Sequence, residues 1–357
     1  MNMKNILTKS LLSVVAISLT LSSYAGNDDR TGSAGSSELL INPWSRSAAF
    51  GSAGVANGNG LSAIYTNIAG LAFTTKTELI FDRTAWLSGA GIAINAAGIA
   101  QRVNESTVLS FAVMSMNFGE IDVTTVDQPE GGIGTFEPKL NNFNIGYAHE
   151  FSNSIYGGLN VKVLSQSIAN IKGKGVAFDA GIRYVTGEED NIKFGITLKN
   201  VGPTMKVSGD GLASFVLLQT GQQATLEQRS AEFELPSLLS IGGSYDYNFS
   251  ETSKLTTALA FTANSFSSDQ YKLGLDYAMD TEKAAFHILA GFIYQKGMFK
   301  KEFGYGNRLT AMSGLTAGFS VDAIVGENKN NLGLQYTYRT ANPFNGVHSL
   351  GVTLNLK

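Results

Sequence analysis

Beyond residue 25 the chain holds no apolar run of 18 or more residues, yet from Thr77 to the end it is a succession of short alternating segments. Without such a run no helix spans a bilayer. A closed barrel is then the one spanning structure left, because an open sheet edge in lipid leaves backbone groups unpaired at several kcal/mol each. Fourteen segments can be counted, near 77–86, 89–102, 106–117, 141–151, 154–167, 174–186, 191–201, 236–248, 253–263, 270–280, 284–295, 314–322, 329–339 and 346–356. Their lengths suit tilted strands crossing a bilayer, and an even number suits a bacterial outer-membrane barrel.

The charges test this reading. In 270–280, Tyr271, Leu273, Leu275, Tyr277 and Met279 form one face, and Lys272, Gly274, Asp276, Ala278 and Asp280 the other. In 174–186, Val176, Phe178, Ala180, Ile182 and Tyr184 oppose Ala177, Asp179, Gly181 and Arg183, and the segments 191–201 and 329–339 separate in the same way. A soluble sandwich alternates too, with its apolar face inward. The connections separate the two folds. In a barrel entered from the periplasm, odd-to-even connections lie outside the cell and are long, whereas even-to-odd ones are short turns. The long connections 118–140, 202–235 and 296–313 follow the third, seventh and eleventh segments, while Ser152-Asn153, 187–191, 249–252 and 281–283 are short. The expectation is an all-β, 14-stranded antiparallel transmembrane β-barrel occupying residues 77–357.

The N-terminus agrees with an exported chain. Residues 1–25 carry Lys4 and Lys9, an apolar run from Leu11 to Leu21, and Ser23-Tyr24-Ala25 before Gly26, which reads as a signal peptide with a small-x-small cleavage site. Removing it leaves 24 basic against 29 acidic residues, so there is no basic surface for nucleic acid. Cysteine is absent, which excludes disulfides, zinc–thiolate sites, cysteine catalysis and a lipid-modified cysteine anchor.

Residues 26–76 precede the first strand and cannot lie in lipid with unpaired backbone. A fourteen-stranded wall encloses more volume than its own side chains fill, since eight strands are already just fillable. Residues 40–74 are therefore expected to fold back inside as a hatch. The glycines and alanines of 46–72 would let its backbone approach the wall closely. Segments 89–102 and 106–117 are apolar or small on both faces, so the interior beside them is greasy or packed against something.

The stretch from Arg46 to Ala72, beginning S-A-A-F-G-S-A-G-V and ending A-I-Y-T-N-I-A-G-L-A, resembles the N-terminal signature of the PorV/PorQ family of the type IX secretion system. That family is itself similar to the FadL-type outer-membrane transporters. A second match runs from Gly119 to Thr125, with Gln128-Pro129-Glu130-Gly131 and Phe136, and is closer to PorV than to PorQ. The chain departs from the family at Asn67-Ile68-Ala69-Gly70, where Asn-Pro-Ala-Gly is usual, and between Asn57 and Gly60, where a pair of acids is usual. The resemblance implies a barrel with an N-terminal hatch and no enzyme activity. It also implies outer loops that hold secreted client proteins by their C-terminal signal domains, between the translocon and the attachment machinery.

Candidate residues follow. On the outer loops, Phe215, Val216, Leu217 and Leu218 form an apolar run on the wet side, and Phe136 and Phe303 join them as candidate contacts for a partner. In the hatch, Arg46, Gly51, Gly54, Tyr65, Asn67 and Gly70 mark the signature. Lys162, Asp179, Arg183, Asp246, Lys272, Asp276 and Arg339 are expected to face the lumen and pair with one another or with the hatch. Asp122, Asp127, Glu130 and Glu137 lack EF-hand spacing and read as a solvated acidic loop. Lys300 and Lys301 sit among aromatics near the rim; contact with lipopolysaccharide phosphates is one reading, but solvated lysines beside girdle aromatics is the preferred one. His149, His287 and His348 lie on separate strands and read as interfacial or wall residues. No cofactor, metal site or catalytic constellation is expected. The alternative to client binding is a FadL-like channel for hydrophobic small molecules, in which the hatch gates a greasy lumen opening sideways into the membrane.

Overall fold

The computed structural model describes residues 26–357 apart from positions 303, 305, 306 and 327. The expected signal peptide and the candidate contact Phe303 lie outside the described residues.

Among the described residues, fourteen antiparallel strands pair in chain order: β1 (Thr77–Trp86), β2 (Ile92–Arg102), β3 (Thr107–Asn117), β4 (Lys139–Ser152), β5 (Ile155–Ile168), β6 (Ile171–Thr186), β7 (Ile192–Val201), β8 (Leu238–Ser250), β9 (Ser253–Asn264), β10 (Gln270–Asp280), β11 (Ala284–Gln295), β12 (Gly314–Val325), β13 (Asn330–Arg339) and β14 (Val347–Leu356). β14 pairs with β1 from Thr77↔Leu356 to Ala85↔His348, so the wall closes and no edge is left. Residues such as Phe81, Phe111, Ile145, Ile182, Leu259 and Ile288 point outward into what is lipid in the membrane, while Glu78, Asp82, Asp179 and Arg183 alternate with their neighbours into the lumen. Outer aromatics align across strands in the row Phe261–Tyr271–Tyr294, with ring centroids 5.1 and 6.2 Å apart. This is the interfacial girdle expected of such barrels.

Two expectations about the outer side need correction. The connection between β5 and β6 is odd-to-even, yet it is only the turn at residues 169–170, because the ladder itself continues outward to Ile168↔Ile171. The strand pair takes the place of a loop there. Connection 202–235 is also not plain loop: Lys206–Ser208 pairs with Lys172–Lys174 of β6, and Ala213–Leu217 pairs with Gln223–Glu227 as a free-standing hairpin. In connection 118–140, Ile121–Asp122 pairs with Thr135–Phe136.

The hatch is longer than the sequence suggests. The first described residues lie at the outer mouth, where Asn27 N donates to Asn264 O at 3.4 Å and Gly35 N to Glu234 O at 3.0 Å. It then descends through the short helix α1 (Ser45–Ala49) and the 3-10 turns Leu61–Tyr65 and Ile68–Phe73, and joins β1 at the periplasmic end. Leu39 and Trp44 are buried on the way down, which is why the strap cannot hang free. The two-faced apolar character of β2 and β3 has its explanation here. Ala96 and Ala100 of β2 and Val108 and Ala112 of β3 pack on Leu61, Ile64, Ile68 and Leu71 of the hatch. On the other side Phe50 and Ala53 meet Ala258 of β9 and Leu289 of β11.

Candidate functional site

Backbone from the hatch approaches the wall closely at glycines. A Cβ on Gly195 of β7 would lie 2.2 Å from Val55 O, and one on Gly291 of β11 would lie 2.3 Å from Gly51 N. Gly51 has φ +66°, a left-handed conformation that favours glycine. Gly54 and Gly70 work within the hatch: Gly54 O accepts from Gly58 N at 2.9 Å, and Gly70 O accepts from Gly60 N at 3.0 Å.

Polar groups then fasten the hatch to the wall around most of the circumference. On the β10–β13 side Arg46 lies 3.5 Å from carboxylate oxygens of both Asp276 and Asp322 and 3.0 Å from the His287 ring, while His287 Nδ1 is 2.9 Å from Asp276. His287 thus faces the lumen, whereas His149 and His348 point outward and bond Thr107 and the Tyr336 hydroxyl. Thr337 and Thr316 donate to Ser45 O and Ala49 O at 2.6 and 2.8 Å. On β6, Arg183 donates to Asn59 Oδ1 at 2.7 Å and to Gly58 O at 3.0 Å. Asn67 Nδ2 donates to Val55 O and to Ile182 O of β6, tying two hatch segments to one strand.

A second polar cluster lies within the wall. Lys162 pairs with Asp179 at 2.6 Å, and both are almost wholly buried. On β7, Lys199 and Asn200 together oppose the single residue Asp179, a β-bulge that turns both side chains inward. Asn200 N then donates to Asp179 Oδ1 at 2.8 Å and its Oδ1 accepts from Lys162 at 2.7 Å. Lys199 donates to Tyr65 O and sits 3.8 Å from the centre of the Tyr65 ring. Asp246 pairs with Lys193, and Thr256 donates to it at 2.8 Å.

Lys272 and Arg339 also face the lumen, and among the described residues no carboxylate lies within ion-pair distance of either. Arg339 lies 5.4 Å from the centre of the Trp86 ring, and its Nε and Nη2 are buried without a hydrogen-bond partner among the described residues. Both residues line a cavity of about 560 Å3 at the outer end of the lumen. Its wall includes the apolar side chains of Trp86, Met116, Phe118, Leu140, Ile293 and Met312, faced by Leu40 and Ile41 of the N-terminal strap, with the polar Glu38, Asn42, Gln270 and Gln295 set among them. Below it a space of about 50 Å3 between Leu40, Ser52, Tyr65, Lys199 and Lys272 forms a throat. A third cavity of about 330 Å3, lined by the polar Arg46, Asn59, Glu78, Asp276 and His287 and by the apolar Phe50, Ile80 and Leu289, lies at the periplasmic end.

Sequence reasoning did not single out Asp82, Glu78 and Asp322 as lumen groups. All lie on the non-apolar face of their strands, so the same alternation would have found them. The bulge at Lys199-Asn200 carries no such signal. Of the outer-loop candidates, Phe215 and Leu217 stand 83% and 73% exposed on the hairpin, Leu218 is exposed, Val216 is half-buried, and Phe136 is half-buried in its two-residue ladder with Ile121. They do not form one surface with the hatch residues.

The closed fourteen-stranded antiparallel barrel is the fold of FadL-type outer-membrane barrels, and it points to the outer membrane. The structure is similar to that of the Pseudomonas putida toluene transporter TodX, with a TM-score of 0.54 and 10% identity over 88% of this chain and 97% of that one. A Pseudomonas aeruginosa FadL homologue gives 0.53 and 11% over 87% and 98%, and the CymD monoaromatic hydrocarbon channel 0.52 and 12% over 88% and 96%. No protein-family profile and no curated protein matches the sequence. At these identities the likeness is one of fold.

Proposed function

We propose that this chain is a channel for small hydrophobic molecules, the outer cavity being the site where they are taken up. The observation that carries the reading is the lining of that cavity: apolar side chains from four strands make one side of it, and polar groups, Arg339, Lys272, Glu38, Gln270 and Gln295 among them, complete it. An apolar concavity with few polar groups is the usual form of a small-molecule site. Leu40, Ser52, Tyr65 and Lys272 line both the outer cavity and the throat, and Thr66 lines both the throat and the periplasmic cavity, so the three spaces follow one another down the barrel. The described neighbours that carry hydrocarbons or toluene support the same reading by analogy of fold. The β2–β3 ladder is unbroken from Ala93↔Asn117 to Arg102↔Val108, which favours passage through the hatch over a sideways opening at that seam.

The test is uptake. Cells with and without the gene are given a monoaromatic hydrocarbon at limiting concentration, and its accumulation is followed. Slower accumulation in the deletion strain, restored by the wild-type gene, is expected; equal rates would refute the channel.

A second reading, the holding of secreted proteins as in type IX secretion, has one observation in its favour: the outer hairpin presents Phe215 and Leu217 to solvent. Large exposed apolar groups mark interaction surfaces. Loss of surface display of such clients in the deletion strain, with hydrocarbon uptake intact, would choose this reading over the first.

A further inference from the structure

The barrel wall does not end with the lipid on one side. From β4 to β6 the strands continue outward, and their hydrogen-bonded rows can be read across the sheet. One outward-facing row is Phe143–Val163–Val176, wholly apolar. The next row out is Asn141–Ser165–Lys174–Lys206, and the one beyond it Lys139–Ser167–Lys172–Ser208. The face therefore changes from apolar to basic within one step of about 7 Å along the strands, two residues at ~3.4 Å each. Lys139, Lys172, Lys174 and Lys206 are all exposed on it.

The arrangement is costly on its own. Lys174 and Lys206 are directly opposed in the ladder, and like charges in that position destabilise a sheet. Among the described residues, neither they nor Lys172 has an ion-pair partner; Lys139 is met by a carboxylate, Glu137, at 2.5 Å. No acid stands in either row. Asn141, Ser165 and Ser167 supply further donors between the lysines. With strands about 4.8 Å apart, the four ammonium groups can converge on one multiply charged anion.

We propose that this face binds the phosphate groups of a phosphorylated glycolipid in the outer leaflet, its acyl chains lying on the Phe143–Val163–Val176 row below. The position selects the ligand: an anion here has its head level with the lysines and lipid directly beneath. Charge-assisted hydrogen bonds from several ammonium groups hold a phosphate strongly and relieve the Lys174–Lys206 repulsion. The proposal rests on the barrel's residence in the membrane and is independent of what passes through the lumen.

The experiment uses the full chain purified in detergent, titrated with bisphosphorylated lipid A, with the same lipid after dephosphorylation, and with inorganic pyrophosphate. The bisphosphorylated lipid is expected to bind at least about tenfold tighter than the other two, and the preference is expected to shrink with salt. The K172Q/K174Q/K206Q variant, its fold checked by heat-dependent gel migration, is expected to lose that preference. Lys206→Gln alone, outside the closed wall, weakens it measurably if the triple variant does not fold. Equal binding of the two lipids, an undiminished preference in the variants, or pyrophosphate binding as tightly as the lipid would each overturn the proposal.

Discussion

Asp82 of β1 and Ser45 of the hatch are joined twice: the Ser45 amide donates to Asp82 Oδ1 at 3.0 Å, and the Ser45 hydroxyl donates to the same oxygen. The carboxylate thereby covers the first turn of α1, where backbone amides have no helical partner. It is one of the few points at which the hatch is bound to the first strand, so it links the start of the wall to the plug.

Asp82→Ala is expected to destabilise the folded barrel by about 1–3 kcal/mol, because it leaves buried donors unpaired. Asp82→Asn keeps an acceptor and loses less. The temperature at which heat-dependent gel migration changes measures this, and trypsin cleavage after Arg46 is expected to appear only in the alanine variant.

Removing one partner of the buried Lys162–Asp179 pair should be worse than removing both. Asp179→Ala strands an ammonium group away from water, at a cost of about 3–5 kcal/mol. Combining Lys162→Met with Asp179→Leu is expected to recover much of that loss. A double-mutant cycle on thermal stability reads the difference, and additive losses would contradict it.

Gly291→Val places side-chain atoms where Gly51 of the hatch now lies. The overpacking is expected to cost about 1–3 kcal/mol. Since the wall is held by its own ladders, the hatch yields first. Increased sensitivity of cells to bulky polar antibiotics, with the barrel still folded, is the expected result.

Leu140→Glu introduces a charge into the apolar lining of the outer cavity. Hydrocarbon uptake is expected to fall about tenfold, corresponding to the ~1.4 kcal/mol or more that an uncompensated polar group costs there. Leu140→Met, which keeps an apolar wall, is expected to leave uptake near wild type.

Phe215→Ser with Leu217→Ser alters only the free hairpin. Barrel stability is expected to stay within about 0.5 kcal/mol of wild type, as for other surface changes. Unchanged uptake together with reduced surface display of a secreted protein would assign the hairpin to partner binding.

Much of the barrel was legible because strand alternation is a local pattern. Tyr271 to Met279 and Lys272 to Asp280 separate by spacing alone, with no knowledge of what pairs with them. The hatch was legible as an inference from volume and from the glycines, but its partners were not. Nothing near Arg46 in the chain points to Asp276 or Asp322, more than two hundred residues away, and the short residues of 26–39 hide the strap over the outer mouth. Lys199 and Asn200 break the alternation by one inserted residue, which a period-two reading passes over.

The amino-acid sequence by itself determined which side chains meet lipid and which meet the lumen, because successive residues of a strand point to opposite faces whatever the neighbours. Only closure of the sheet decided what stands beside what. Register is set around the whole ring at once, so it is the tertiary structure that puts Lys174 against Lys206, folds the N-terminal strap over the outer cavity, and sets Arg339 and Lys272 together on the wall of that cavity.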